Sequence, residues 1–149
     1  MIHGVIITAL KTFPDDRGYF REIARVQESP LQGLQQMSAT MSYPGVIKAF
    51  HYHNHQDDLW YCASGMIQAV LYDRRKDSPT YKETQVVPMG DLAPQTLFIP
   101  KGVVHGYKVL GPQPALVIYA TNQIYDPKDE LRIPHDDSKI GFDWSIKAR

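Results

Sequence analysis

Cysteine is almost missing from these 149 residues: Cys62 stands alone. An intrachain disulfide is therefore excluded, and so is a four-thiolate zinc site. Net charge is missing too. Lys+Arg and Asp+Glu number 16 each, so no overall field draws in nucleic acid or an anionic membrane, and a phosphate-bearing ligand must be held by a few local cations. No apolar run approaches the roughly 20 residues that span a bilayer. The first residues, M-I-H-G-V-I-I-T-A-L-K, lack the basic head and apolar core of a secretion signal, so a cytoplasmic location is expected. Long amphipathic helical periodicity, solenoid-length repeats and low-complexity tracts are absent as well.

What is present is β-pattern punctuated by Gly and Pro. Strands are expected near residues 4–10, 19–26, 34–42, 46–53, 59–63, 66–73, 81–87, 96–99, 103–110 and 115–122, with turns at Pro14–Gly18, Pro44-Gly45, Ser64-Gly65 and Pro100–Gly102. The runs on either side of Ser64-Gly65 read as one hairpin, and 103–110 with 115–122 read as another. Residues 88–94 read as a connector. In 34–42, Gln36, Ser38, Thr40 and Ser42 share one face while Met37, Ala39 and Met41 share the other. A solvated sheet face is the expected surrounding of the polar set, with a wet cavity wall as the alternative. Nine or ten short strands at 8–12-residue spacing indicate an all-β fold of antiparallel strands, a double-sheet jelly roll in one domain, residues 1–149. Residues 1–30 form its N-terminal strand region and 126–149 a polar tail.

The chemistry concentrates between Gly45 and Gly65. His51, His53 and His55 fall within five residues, with Asp57 and Asp58 just behind. Imidazoles near neutral pH serve as bases or as metal ligands. His51 and His53, two apart on a strand, share a face, and His105 in P-K-G-V-V-H can join them if the strands are neighbours. The order G-x5-H-x-H-x4-D-x6-G followed by P-x-G-x2-H resembles the two cupin motifs, with Asp58 where a glutamate is usual. That resemblance implies a cupin fold and, in its metal-binding members, a divalent ion on His51, His53, Asp58 and His105.

A second resemblance spans residues 16–127. Asp16–Glu22 is similar to the D-x-R-G-x-F-x-E motif of dTDP-4-dehydrorhamnose 3,5-epimerases. Gly45–His53 resembles their G-V-L-R-G-L-H-Y-Q, and Asp73-Arg74-Arg75 with Ser78-Pro79-Thr80 their D-x-R-x-x-S-P-T. Ile99–Tyr107 resembles I-P-x-G-x-A-H-G-F, and Tyr119, Tyr125 and Pro127 keep the spacing of Y-K-x-T-x-x-Y-x-P. The resemblance implies an epimerase or isomerase of a nucleotide-linked 4-keto-6-deoxy sugar. It needs no cofactor and works as a homodimer whose N-terminal strand crosses to the partner.

By the same resemblance His51 is the base, Tyr119 the acid on the opposite face, and Lys48, at the family's arginine position, the group that stabilises the enolate. Arg17 pairs with the diphosphate, and Glu22, Gln36, His105 and Tyr125 contact the substrate. Lys48 and His51 can act together only if a β-bulge lies between them, because a strict two-residue period sends them to opposite faces.

The pattern departs from the family where its Gln is His53 and its Lys is Asp58. The family's aspartate partner of the base is expected in a later C-terminal segment, leaving Asp57 or Asp137 as local substitutes. A metal-dependent cupin enzyme, or a non-catalytic sugar-nucleotide-binding cupin, are the alternatives.

Overall fold

A computed structural model describes residues 1–146, so the last three residues of the 126–149 tail lie outside the described residues. Twelve strands form: β1 Ile6–Ala9, β2 Thr12–Asp15, β3 Gly18–Arg21, β4 Gln36–Ser42, β5 Ile47–Tyr52, β6 Asp58–Ser64, β7 Met66–Asp73, β8 Thr84–Gly90, β9 Gln95–Ile99, β10 Val103–Leu110, β11 Ala115–Thr121 and β12 Leu131–Arg132. They make two five-stranded antiparallel sheets, β1-β9-β6-β11-β4 and β12-β5-β10-β7-β8, with β2 and β3 as a separate hairpin. This is the expected jelly roll. Among the described residues no helix is long and apolar enough to cross a membrane.

Both expected hairpins are corrected. β6 pairs with β9 and β11, whereas β7 pairs with β8 and β10, so the Ser64-Gly65 turn carries the chain from one sheet to the other. β10 and β11 are likewise split between the sheets. β10 pairs with β5 on one edge and β7 on the other, which leaves no edge for β11, and it is buried nearly throughout. Its inner face meets the other sheet, and its outer Val104 packs with Phe50, Val70 and Trp144. Gly65 makes the corner possible. Its φ is +73°, and a Cβ there would collide with the Pro114 carbonyl oxygen, where β11 begins.

Other boundaries shift for local reasons. The strand expected over 19–26 stops at Arg21 and yields to a turn closed by Ser29 N–H on the Arg25 carbonyl. β8 runs on through Pro88, Met89 and Gly90, part of the expected connector. It is an edge strand, so the missing proline N–H costs no ladder bond. β2, carrying Pro14, is a strand where a turn was expected. The core between the sheets is built from Ile67, Ala69, Leu71, Met89, Leu97 and Val103, among others.

The D-R-R-K-D run is only partly solvated. Asp73 is fully buried and takes the Arg75 guanidinium on both carboxylate oxygens at 2.8 Å, together with the Ser78 and Thr80 hydroxyls at 2.6 and 2.7 Å. Burial alone would raise its pKa, but these donors hold the carboxyl well below the usual carboxylate range. The loop is thereby closed on the end of β7.

Candidate active site

A cavity of about 560 Å³ opens between the sheets at one end of the sandwich. Its walls include Gln36 and Thr40 from β4, Lys48 and His51 from β5, Asp58 and Trp60 from β6, Tyr107 from β10, and Tyr119 from β11. The polar side of β4 is thus the cavity wall, and the expected solvated face is corrected. Met37 and Met41, on the other side, are exposed.

Lys48 and His51 reach the same cavity because the β5–β10 ladder slips by one residue. His51 lies opposite His105 and Lys48 opposite Tyr107, so three residues of β5 span two of β10. This is the bulge that joint action requires. Gly106 sits against it: a Cβ there would land on the Ala49 side chain, 2.7 Å from Ala49 Cα and 2.8 Å from the Lys48 carbonyl oxygen. Lys48 Nζ then donates to Thr40 Oγ1 at 2.6 Å, spanning the two sheets.

The histidines divide. His55 is exposed. His53 is buried, and its Nδ1–H donates to the Asp129 carbonyl oxygen at 2.7 Å. His105, 2% exposed, donates Nδ1–H to the Val103 carbonyl oxygen at 2.9 Å, and its Nε2 has no hydrogen-bond partner. The His51 and His105 rings meet edge to face with centroids 4.3 Å apart. Nε2 of His105 faces Oδ2 of Asp58 at 3.6 Å, and Asp58 also accepts Gln56 Nε2 at 2.7 Å and Trp60 Nε1 at 3.1 Å.

Burial, then the adjacent His105, holds the His51 imidazole well below its ordinary pKa. Burial pushes His105 down to about 3 and raises the pKa of Asp58. His51 is therefore neutral at neutral pH, with a lone pair available to a proton.

The substrate-binding set is only partly assembled. Gln36, Tyr125 and Tyr119 line the cavity, with the Gln36 side-chain oxygen accepting Tyr125 N–H at 2.9 Å. Arg17 and Glu22 do not line it. Arg17, with an 85% exposed side chain, pairs with Asp15 in the β2–β3 turn, and Glu22 borders a separate groove beside β1 and the hairpin. His105 stands behind His51 rather than among the cavity-lining residues.

Neither local substitute for the base's carboxylate partner is free for His51. Asp57 is held by Lys101 N–H at 2.7 Å and Asn122 Nδ2 at 2.8 Å, and Asp137 accepts the Lys139 and Ile140 N–H groups.

Two charged cavity residues escaped the sequence reading. Arg132 on β12 lies opposite His51 in register, with an 80% exposed side chain at the cavity mouth, and Glu130 stands beside it. Both fall in the stretch read as irregular tail, where a two-residue strand leaves no periodicity to detect. Trp60 packs in the core and also lines the cavity.

The family model of dTDP-4-dehydrorhamnose 3,5-epimerase matches residues 1–149. The spore coat polysaccharide biosynthesis protein SpsL of Bacillus subtilis is 52% identical, with 100% of both chains covered. The probable low-salt glycan biosynthesis epimerase Agl13 of Haloferax volcanii is 38% identical, covering 98% of this chain and 96% of its own. Among solved structures, a 3,5-epimerase of Legionella pneumophila in complex with dTDP-4-keto-L-rhamnose superposes with a TM-score of 0.88 at 26% identity, over 99% of this chain and 81% of that one.

Proposed function

The chain belongs to the sugar-nucleotide epimerases of the dTDP-4-dehydrorhamnose 3,5-epimerase family, and from that membership we propose how its own residues act on a nucleotide-linked 4-keto-6-deoxy sugar. His51 removes a proton from a carbon beside the ketone, and Tyr119 returns one from the other side. The observation that carries this reading is that the two residues line one cavity from opposite sheets, His51 on β5 and Tyr119 on β11. Inversion of a carbon centre needs a base and an acid on opposite sides of the sugar plane, and a sandwich interior supplies two such walls.

The remaining roles follow from charge. Lys48 shares the wall with His51 and places an ammonium where enolate charge develops. A neutral His51 is the protonation state a base needs. Arg132 at the mouth is a cation for the diphosphate, and Gln36 and Tyr125 frame the nucleotide.

Arg17 and Glu22 act in this reading on the cavity of a partner protomer. The β2–β3 hairpin pairs with neither sheet and exposes Phe13, Tyr19 and Phe20, which suits insertion into a second copy.

Deuterium wash-in from D2O into a dTDP-4-keto-6-deoxyhexose, followed by NMR, tests the reading. Exchange at one or both carbons flanking the ketone is expected. No exchange at either carbon overturns it.

A further inference from the structure

We propose that Glu130 selects the sugar: its carboxylate accepts a hydrogen bond from a ring hydroxyl at carbon 2 or carbon 3, so that substrates lacking that hydroxyl are rejected. Glu130 can do so only if the sugar lies against His51, so this role rests on the proton-transfer reading above.

Strand alternation aims the side chain. Ile133 exchanges both backbone hydrogen bonds with Phe50, at 2.8 and 3.0 Å, and packs in the outer cluster with Phe50, Tyr52 and Trp144. Leu131 and Arg132 continue the ladder opposite Tyr52 and His51. The two-residue period therefore turns Arg132 and Glu130 the other way, into the cavity that both line with His51 and His53. On the other side Asp129 anchors the chain. Its carboxylate takes the Asn54 and His55 N–H groups at 2.7 and 3.1 Å, and its carbonyl takes His53 Nδ1–H. A backbone tied on both sides holds an acceptor in place before substrate arrives.

The carboxylate is available. Its side chain is 23% exposed, with His53 Nδ1 4.0 Å from one oxygen and Arg132 Nη2 3.9 Å from the other, both beyond hydrogen-bond reach. The His53 proton already goes to the Asp129 carbonyl, and Arg132 is too exposed for its ion pair to be worth much. Asp58, the other carboxylate of the cavity wall, is by contrast held by Gln56 and Trp60. Among the described residues Glu130 receives no hydrogen bond, although an ionised carboxylate accepts several.

Location decides the donor. Glu130 neighbours His53, whose ring centroid is 5.8 Å from that of His51. A sugar whose reacting carbon meets His51 thus brings its other substituents to Glu130. The ketone and the 6-methyl group have no proton to donate, and the anionic diphosphate is repelled by a carboxylate. The hydroxyls at carbons 2 and 3 remain. A site built to pair a hydroxyl rejects the analogue lacking it, because its own polar group is then left unpaired.

The test is a cycle between the residue and the hydroxyl. Exchange from D2O is measured with a dTDP-4-keto-6-deoxyhexose and with its 2-deoxy and 3-deoxy analogues. The native chain is compared with Glu130→Ala and Glu130→Gln, each checked for fold by circular dichroism. Removal of one of the two hydroxyls should lower kcat/KM of the native chain by about 10–100-fold, and Glu130→Ala should lower it on the parent sugar by a similar factor. The two losses should not multiply: on that analogue Glu130→Ala should exchange as fast as the native chain. Glu130→Gln, which keeps one acceptor oxygen without the charge, should fall between the two and carries the same cycle if Glu130→Ala does not fold. Losses that multiply for both analogues overturn the proposal, as does a Glu130→Ala variant that matches the native chain on the parent sugar. Exchange of the parent sugar by the native chain separates the two readings. Its absence overturns the proton-transfer reading, and the cycle is then decided by calorimetric binding. Multiplied losses in a chain that does exchange overturn only the role of Glu130.

Discussion

Lys48 and His51 are three residues apart on β5, yet both enter the same cavity, because their ladder partners Tyr107 and His105 are only two apart on β10. The extra residue rotates the strand by half a period. It lets a short segment present an ammonium and an imidazole together. Gly106, between those two partners, is the residue that leaves room for it.

Replacing Gly106 with Ala therefore strikes the site through the backbone. The new Cβ meets Ala49 Cα and the Lys48 carbonyl, neither of which is a flexible side-chain end. Overpacking of this kind costs about 1–3 kcal/mol, visible as a lower Tm. Wash-in should fall more than the stability loss explains, measured well below the melting range. Unchanged exchange would show that the bulge does not depend on this glycine.

His51→Asn should abolish exchange at the carbons beside the ketone while leaving nucleotide-sugar binding within a few-fold, as seen by calorimetry. Tyr119→Phe removes one oxygen from the opposite wall and should slow turnover by about 10²–10⁴, the usual worth of a positioned acid. Full activity in Tyr119→Phe would move the acid elsewhere.

Arg17 offers a test of the assembly. Arg17→Ala should weaken binding of the nucleotide sugar, and His51→Asn should be inactive. If the hairpin of one protomer completes the cavity of its partner, mixing the two variants under exchanging conditions restores activity, since hybrid dimers contain one intact site. Sedimentation should show a dimer. Failure of the mixture to regain activity would assign Arg17 to its own protomer or to no site.

Asp73 should govern acid stability. Its folded pKa is held below its unfolded value of 3.8, so its stabilisation is complete above that pH and is lost as pH falls through the folded value. Loss proceeds at up to ~1.4 kcal/mol per pH unit. Asp73→Asn should cost about 2–3 kcal/mol at pH 7, because the Arg75 fork and two hydroxyls lose a charged acceptor. It should also flatten the fall in Tm below pH 4. Melting curves across that range check both effects.

Trp144 packs its ring 5.3 Å from that of Phe50, the residue before His51, and donates Nε1–H to the His135 carbonyl. Trp144→Ala should cost about 3–5 kcal/mol. Denaturant melts would show it, and a cost below 1 kcal/mol would mean that the segment is not part of the folded core.

Apolar and β-branched runs punctuated by Gly and Pro located the strands, because those side chains suit a packed, pleated surface and the breakers end it. β5, β7, β10 and β11 are all legible in this way. The motif residues of the cavity were legible as well, since glycines, histidines and tyrosines at fixed spacing survive in the sequence as letters. Pairing was not legible. The turn at Ser64-Gly65 is short enough for a hairpin, and only the contact of Gly65 with Pro114, 49 residues away, shows that it is a corner between sheets. The polar side of β4 gave no sign of whether water or substrate lies against it.

By itself, then, the sequence determined which residues can do chemistry, His51, Lys48 and Tyr119 among them, and that they ride on strands. The tertiary structure alone decided that Lys48 and His51 share a wall, that Tyr119 faces them from the other sheet, and that His53, His105 and Asp58 converge. It also decided that Arg17 leaves its own cavity. Those outcomes depend on ladder register and on which sheet each strand joins. Both are set by contacts between residues far apart in the chain, and local pattern carries no record of them.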